Sequence, residues 1–100
     1  NNFYFAGFPI KKKKTRIESL SRLAEINTTI IWFESLKRII SFLKELVIVF
    51  GNRQAVIAKE LTKLYQEILR DDIVSLISQL EKNYLIQERG DKRYKVKEVV

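Results

Sequence analysis

The chain has 100 residues, the length of one small domain, and 46% of them are hydrophobic, which is enough for a single core. It contains neither Cys nor His, which excludes disulfides, thiol or imidazole catalysis, iron–sulfur ligation and nearly every zinc site. The formal net charge of +7 favours a phosphate-bearing partner such as a nucleic acid.

The first part of the chain is predicted to be an extended, basic and aromatic arm over residues 1–14. Four aromatic residues precede Pro9. This pattern predicts an extended segment that either packs on the body of the domain or docks on a partner subunit. Lys11–Lys14 then forms either a solvated link or an arm that contacts phosphates. We therefore divide the chain into this arm and a single helical domain with a C-terminal hairpin over residues 15–100.

Two helices are predicted in the first half of that domain. Thr15-Arg16-Ile17-Glu18 fits a capping box, in which side chains satisfy the free amides of the first helical turn. A second helix is expected within Thr28–Phe50, where a wide apolar stripe places it at the centre of the core. Gly51-Asn52 supplies the glycine stop that ends it.

Two further helices and a hairpin are predicted in the second half. Gln54–Leu69 has the spacing of an amphipathic helix, and Asp71 or Asp72 caps a fourth helix that ends near Asn83. The segments 85–89 and 93–98 flank a Gly-Asp-Lys turn and predict a β-hairpin. The predicted fold class is mainly α: a compact four-helix bundle with a C-terminal β-hairpin and an extended N-terminal arm.

The most membrane-like stretch is Thr28–Phe50, but it carries five ionisable side chains. Each would cost about 2.5–3.5 kcal/mol in mid-bilayer, so a buried or interface helix is expected. No signal peptide is visible, and we expect a cytoplasmic, nucleoid-associated protein. Because the sequence contains no Met, residues upstream of Asn1 are also expected.

Catalytic signatures are absent from the sequence. There is no phosphate-binding P-loop, dinucleotide fingerprint or nucleophile elbow, and the paired acids Asp71-Asp72 are explained by helix capping. We therefore predict a non-enzymatic protein with no catalytic residue, no metal and no cofactor of its own.

Phosphate recognition is the chemistry that the cations predict. Gly51-Asn52-Arg53 lies before a predicted helix whose first amides and dipole favour anions, and the Arg53 fork suits two phosphate oxygens. Lys59 and Lys63 are four residues apart and would share a helical face. Such a basic face can bind phosphate, or it can simply be exposed to solvent. The full set of predicted nucleotide- or nucleic-acid-binding residues is Arg53, Asn52, Lys59, Lys63, Arg70, Arg16, Lys92, Arg93, Lys95 and Lys97.

One family resemblance is to winged-helix DNA-binding proteins. Three segments carry the resemblance: helix two is matched by Ala58–Leu61, the recognition helix by Ile73–Ile86 and the wing by the basic hairpin. The gap between these helices is longer than usual, and the would-be recognition helix offers little beyond Gln79 and Lys82 to base edges. This resemblance implies a dimeric transcription regulator.

A second resemblance is to the C-terminal domain of the large subunit of archaeal and eukaryotic-type DNA primase. Ser35–Leu43 is similar in spacing to its Cys-led first helix, Phe50-Gly51-Asn52-Arg53 resembles its His-x-x-Arg segment, and Tyr94–Glu98 resembles its closing Tyr-x-(Ile/Val)-x-His motif. The cysteines are absent and both histidines are replaced, by Phe50 and Glu98, so no iron–sulfur cluster can form. The chain in this respect resembles the small, non-catalytic third primase subunit of some archaea.

The primase resemblance implies an accessory role in DNA replication. The domain would hold the initiating nucleotide triphosphate or the primer 5′ end during RNA primer synthesis, with Arg53 as the phosphate-binding arginine. Its partners would be nucleic acid, a nucleotide triphosphate and the catalytic and large primase subunits in a hetero-oligomer. A pure protein-interaction module, in which the positive charge is incidental, is the third hypothesis.

Overall fold

A computed structural model describes residues 3–62, 65–87 and 95–96. Helices and strands alternate along the chain, so the fold is mixed α/β, and the prediction of a mainly α four-helix bundle is wrong. The elements in chain order are β1 (Phe3–Gly7), α1 (Lys13–Leu23), β2 (Thr29–Trp32), β3 (Glu34–Ser35), α2 (Leu36–Phe50), β4 (Gln54–Thr62), β5 (Tyr65–Asp72), α3 (Ile73–Gln87) and β6 (Lys95–Val96).

The N-terminal third of the chain is a β-α-β unit. β1 pairs in parallel with β2, in register from Phe3 opposite Thr29 to Gly7 opposite Trp32, with one irregularity in β1. Parallel neighbours need a long crossover connection, and α1 provides it. The first part of the predicted arm is therefore a paired strand of a two-stranded sheet.

The remaining strands form a second sheet with the order β3-β6-β4-β5. Only Phe33 separates β2 from β3, and its amide donates to the Gly7 carbonyl at 2.9 Å, so the chain continues from one sheet into the other. β4 and β5 form an antiparallel hairpin that begins with Gln54 opposite Asp72.

The amphipathic helix predicted over Gln54–Leu69 is wrong, because that segment forms the β4–β5 hairpin. Burial alternates along β4, where Ala55 and Ile57 are buried, whereas Ile68 on β5 is 55% exposed. A short apolar run satisfies the helical and the strand period equally well, and the pairing of the two strands decides between them.

The helix predicted within Thr28–Phe50 is correct only in its second part. A run of β-branched residues at its start forms β2, since such side chains pack well on a pleated surface. The predicted end at Phe50 is confirmed, and Gly51 follows with a φ of 81°, which favours glycine.

The first helix also begins earlier than predicted. Lys12 is its N-cap residue and makes no side-chain capping bond, and the Arg16 amide already donates to the Lys12 carbonyl at 2.8 Å. The proposed capping box over Thr15–Glu18 is therefore wrong, because these residues lie inside the helix.

The last predicted helix is confirmed as α3, with Ile73, Leu76 and Leu80 buried. It continues to Gln87 rather than ending near Asn83, so the first strand of the predicted hairpin does not begin at residue 85. β6 is a strand as predicted, but it pairs with β3 and β4, and the turn between the predicted strands lies outside the described residues.

One hydrophobic core joins the helices to both sheets. α2 packs against α1 and α3, and its Ile39, Leu43 and Leu46 are almost fully buried. Ile30 and Trp32 from β2 and Ile57 from β4 complete the same cluster, and each large side chain contributes about 1.5–3 kcal/mol by burial. No helix in the described part of the chain is long and apolar enough to cross a membrane.

The start of α3 is held by the Asp72 carboxylate. The Ser75 amide and hydroxyl donate to it at 3.0 and 2.7 Å, and Asn52 Nδ2 donates at 3.0 Å. Bonds from Ser75 and then Asn52 hold the pKa of Asp72 well below its usual range. A depressed pKa in the folded state means that this carboxylate stabilises the fold above the unfolded pKa of about 3.9 and ceases to do so as the pH falls towards the folded value.

We expect Asp72→Asn to flatten the loss of stability below about pH 4, because the substituted side chain no longer titrates. The measurement is urea unfolding followed by circular dichroism between pH 2.5 and pH 7. Glu18→Gln, which alters an exposed carboxyl group on α1, is the matched control. An acid profile of Asp72→Asn parallel to that of the unaltered protein would contradict the role assigned to Asp72.

Candidate functional site

The loop at residues 51–53, the predicted phosphate site, does not lead into a helix. β4 begins at Gln54, so the helix N-terminus on which that site was argued does not exist. The nearby amides at the start of α3 are already used: Val74 donates to Asn52 Oδ1 at 2.9 Å and Ser75 to Asp72 Oδ2 at 3.0 Å. The start of α3 is therefore capped by Asn52 from this loop and by Asp72 from the end of β5.

Arg53 lies against the protein surface. Its Nε donates to the Phe50 carbonyl at 3.1 Å and one terminal nitrogen donates to the Ala24 carbonyl at 3.5 Å. The guanidinium carbon sits 5.1 Å from the centre of the Phe50 ring, within the range of a cation–π contact. Arg53 thus ties the end of α2 to the residue that follows α1, and its phosphate-binding role stays a prediction.

Of the other predicted binding residues that the structure describes, Lys59 on β4 lies opposite Val96 and so beside Lys95 of β6, whereas Arg16 and Arg70 lie on other elements. Lys59 and Lys63 cannot share a helical face, because Gln54–Thr62 is a strand. Arg70 is exposed on β5, Lys95 lies on β6, and Arg16 lies on α1. Lys63, Lys92, Arg93 and Lys97 lie outside the described residues.

A cavity of about 380 Å³ lies on a different face, between the segment that follows β1 and the start of α2. Phe8, Lys11 and Arg16 line it on one side, and Glu34, Arg38 and Ser41 line it on the other. This volume is within the range of about 300–1,000 Å³ that small-ligand sites usually have. We call it the arm cavity.

One wall of the arm cavity is fixed by a bidentate ion pair. Arg16 donates from Nε and a terminal nitrogen to the two carboxylate oxygens of Glu45, at 2.6 and 2.5 Å. Its other terminal nitrogen donates to the carbonyls of Ile10 and Lys11. The hydrogen bond to Glu45 raises the pKa of the Arg16 guanidinium above its usual value. Arg16 is therefore occupied in holding the cavity wall on α2 and does not present its fork to a ligand.

The floor of the arm cavity contains a buried carboxylate. Glu34 is 5% exposed, and no other charged side chain among the described residues is buried. Its Oε1 accepts from the Ser35 amide at 2.8 Å and from Arg38 Nε at 3.1 Å. The Arg38 side chain is 60% exposed, so it neutralises Glu34 and also carries positive charge to the cavity mouth.

The rim of the arm cavity is aromatic and cationic. Phe8 is 65% exposed and lies 5.6 Å, centre to centre, from Phe33, which in turn contacts Phe5 edge-on at 5.1 Å. Lys11–Lys14 is exposed along its whole length and begins at this rim. An aromatic face, a buried acceptor and a positive mouth are the elements that recognise a nucleotide.

Sequence reasoning missed Phe8, Glu34 and Arg38 as members of a site. A weak signal was present: Phe8 and Pro9 stand directly before the lysine run, and Glu34 and Arg38 are four residues apart. These two residues were not recognised as part of a site because the prediction placed both of them on a long central helix. Within residues 3–62, 65–87 and 95–96 no group of three or more acidic side chains lies close enough to hold a metal ion.

Comparison with known proteins gives a consistent result. No family model matches the chain. Over 82 residues, 82% of its length, it is 38% identical to the ribosomal RNA small subunit methyltransferase I of Thermotoga maritima, of which this covers 36%. It is 34% identical over 85 residues to the protein of the same name from Rickettsia prowazekii and 37% identical over 81 residues to that from Xylella fastidiosa. These stretches are 85% and 80% of the chain but 30% of each relative, so the chain spans about a third of the relatives' length.

These similarities overturn the primase resemblance and the winged-helix alternative. The relatives are named as methyltransferases of ribosomal RNA, so the predictions of a non-catalytic replication subunit, of primase partners and of a transcription regulator are wrong. The primase motifs were short, and the Phe50-Gly51-Asn52-Arg53 segment that should open a helix precedes a strand instead.

Proposed function

We propose that this chain is part of a methyltransferase that acts on small-subunit ribosomal RNA. The observation that carries the proposal is the 38% identity over 82 residues to a protein of that name. A match of this kind is more specific than a short motif, because it extends over 82% of the chain. The predicted cytoplasmic location fits such a substrate.

The structure supports an RNA-contacting role for this part of the protein. Lys11–Lys14 is exposed beside the arm cavity, and Arg38 adds a further exposed guanidinium at its mouth. Such cations bind the phosphate backbone without reading sequence and weaken steeply as the salt concentration rises. We propose that this face meets the ribosomal RNA.

Methyl transfer requires a methyl donor, for which S-adenosylmethionine is the usual biological source. The described residues do not show a cradle fitted to it. Of the two glycines with positive φ, Gly51 has no heavy atom within 4 Å of an added Cβ, and Gly7 has only the Phe5 ring edge at 3.9 Å. We therefore derive no step through the donor from these residues.

The test is a segment exchange in the Thermotoga maritima relative. The 82 matched residues are replaced by those of this chain, and radiolabelled S-adenosylmethionine is supplied with small-subunit or large-subunit ribosomal RNA. We expect label in the small-subunit RNA alone, at a rate within about tenfold of the unaltered relative. The same chimera carrying Leu43→Asp, a charge placed in the core, is the inactive control.

A second measurement uses the chain itself and does not depend on the chimera. Filter binding at low salt should show tighter binding to small-subunit than to large-subunit ribosomal RNA, with an affinity that falls as salt is added. A chimera that folds by circular dichroism but transfers no methyl group would overturn the proposed function. So would an affinity of the chain that does not distinguish the two RNAs.

A further inference from the structure

We propose that the arm cavity receives one unpaired nucleotide of the RNA, with its base stacked on Phe8 and its amino edge directed to Glu34. This inference rests on the proposed function and names the form in which the RNA is bound there. It is carried by the side chains that line the cavity, which combine a stacking face, a buried acceptor and the cations Lys11 and Arg38.

The stacking face is the exposed ring of Phe8. A phenyl ring that is 65% exposed leaves apolar surface in contact with water, and the face of a nucleobase covers such a ring well. The Phe33 ring contacts Phe8 at 5.6 Å, centre to centre, with the two planes tilted by 40°. A base within a duplex is stacked on its neighbours and cannot reach this position, which selects an unpaired nucleotide.

The acceptor is the Glu34 carboxylate. An ionised carboxylate accepts hydrogen bonds and donates none, so it matches the exocyclic amino group of cytosine or adenine and repels the carbonyl oxygen that uracil carries at the same position. Arg38 Nε donates to the same carboxylate at 3.1 Å, so a guanidinium stands beside the acceptor. The cavity therefore favours bases with an amino edge.

The cations at the mouth of the cavity bind the phosphate backbone of the RNA. Lys11 and Arg38 line the cavity on opposite sides, on the arm and on α2 respectively. A base that enters between them leaves its flanking phosphates at the mouth, where ammonium and guanidinium groups bind phosphate oxygens. Arg16 acts as a positioning residue, because its bonds to Glu45 and to the Ile10 and Lys11 carbonyls hold the arm against α2.

The experiment measures fluorescence anisotropy of the full chain with labelled 12-nucleotide oligo(C) and oligo(U) and with a duplex RNA of equal length, at low salt. We expect oligo(C) to bind about tenfold more tightly than oligo(U) or the duplex. Phe8→Ala should weaken oligo(C) binding about tenfold and leave duplex binding within twofold. Phe3→Ala is the matched control, because Phe3 is equally exposed at 64% but does not line the cavity.

Glu34→Gln tests the base edge separately. The substituted amide both donates and accepts, so the preference for oligo(C) over oligo(U) should fall to within about twofold while the fold, followed by circular dichroism, is retained. Equal effects of Phe8→Ala and Phe3→Ala, or an unchanged base preference in Glu34→Gln, would overturn the inference. Either result leaves the proposed function standing if the chimera still methylates small-subunit RNA.

Titration with S-adenosylmethionine tests whether the methyl donor, and not a nucleotide, occupies the arm cavity. Loss of its binding in Phe8→Ala, with oligo(C) binding unchanged, would assign the cavity to the methyl donor and overturn the inference. Absence of binding to every RNA tested would overturn the inference and contradict the RNA-contacting role on which it rests.

Discussion

Leu43→Ala is expected to lower the free energy of unfolding by about 3 kcal/mol. Leu43 is fully buried at the middle of α2, within the cluster that joins α2 to the other helices and to both sheets. Truncation removes apolar contact and leaves a cavity that neighbouring strands cannot fill, and such changes cost about 2–5 kcal/mol. In a small domain this is a large part of the total stability.

Urea unfolding followed by circular dichroism measures this effect. Ile48→Ala is the matched control, since Ile48 is an aliphatic residue of the same helix that is 82% exposed, and its change should stay within about 0.5 kcal/mol. Similar losses for the two variants would show that α2 does not have the buried and exposed faces described above.

Arg16→Ala is expected to lower the free energy of unfolding by about 2 kcal/mol. Arg16 and Glu45 are 20% and 15% exposed, so each is largely shielded from water and the pair is bidentate. Removing the guanidinium leaves the Glu45 carboxylate half-buried without its partner, and hydrogen bonds to charged groups contribute about 1.5–3 kcal/mol. Arg16→Lys should recover only part of the loss, because one ammonium group cannot reproduce the fork.

The control for this prediction is the exposed ion pair between Lys44 and Glu81, at 3.3 Å, which links α2 to α3. Lys44→Ala should cost less than about 0.5 kcal/mol, since both side chains are about half exposed and solvent screens the pair. A double substitution of Arg16 and Glu45 by Ala should cost little more than Arg16→Ala alone. If Arg16→Ala were as mild as Lys44→Ala, the arm would not depend on this contact.

The comparison with relatives shows why the functional prediction from sequence failed. Three short segments matched the primase pattern in spacing, but spacing alone does not say whether a segment is a helix or a strand. The segment at Phe50–Arg53 was assigned to a helix start, but in the structure it ends α2 and continues as a loop into strand β4. The general prediction of a cationic chain with an anionic partner is compatible with the proposed rRNA substrate, because charge does not depend on fold.

The arm cavity was out of reach of sequence reasoning for a related reason. Its walls come from residues far apart in the chain, and the Arg16–Glu45 pair joins positions that are 29 residues apart. Local patterns show which side chains can form ion pairs but not which partner each of them meets. The buried position of Glu34 depends in the same way on distant partners, because β3 pairs with β6 and contacts α2.

By itself the sequence determined the features that depend on neighbouring residues. These are the capped start of α3 at Asp72, its buried face, the end of α2 at Gly51 and the positive charge of the arm, and each follows from local backbone geometry or from composition. Only the tertiary structure decided that residues 54–62 and 65–72 form paired strands and that residues 29–32 form a strand beside β1. The physical reason is that a strand obtains its hydrogen bonds from a distant partner, whereas a helix obtains them from within, so an ambiguous apolar run takes the form that its neighbours in space complete.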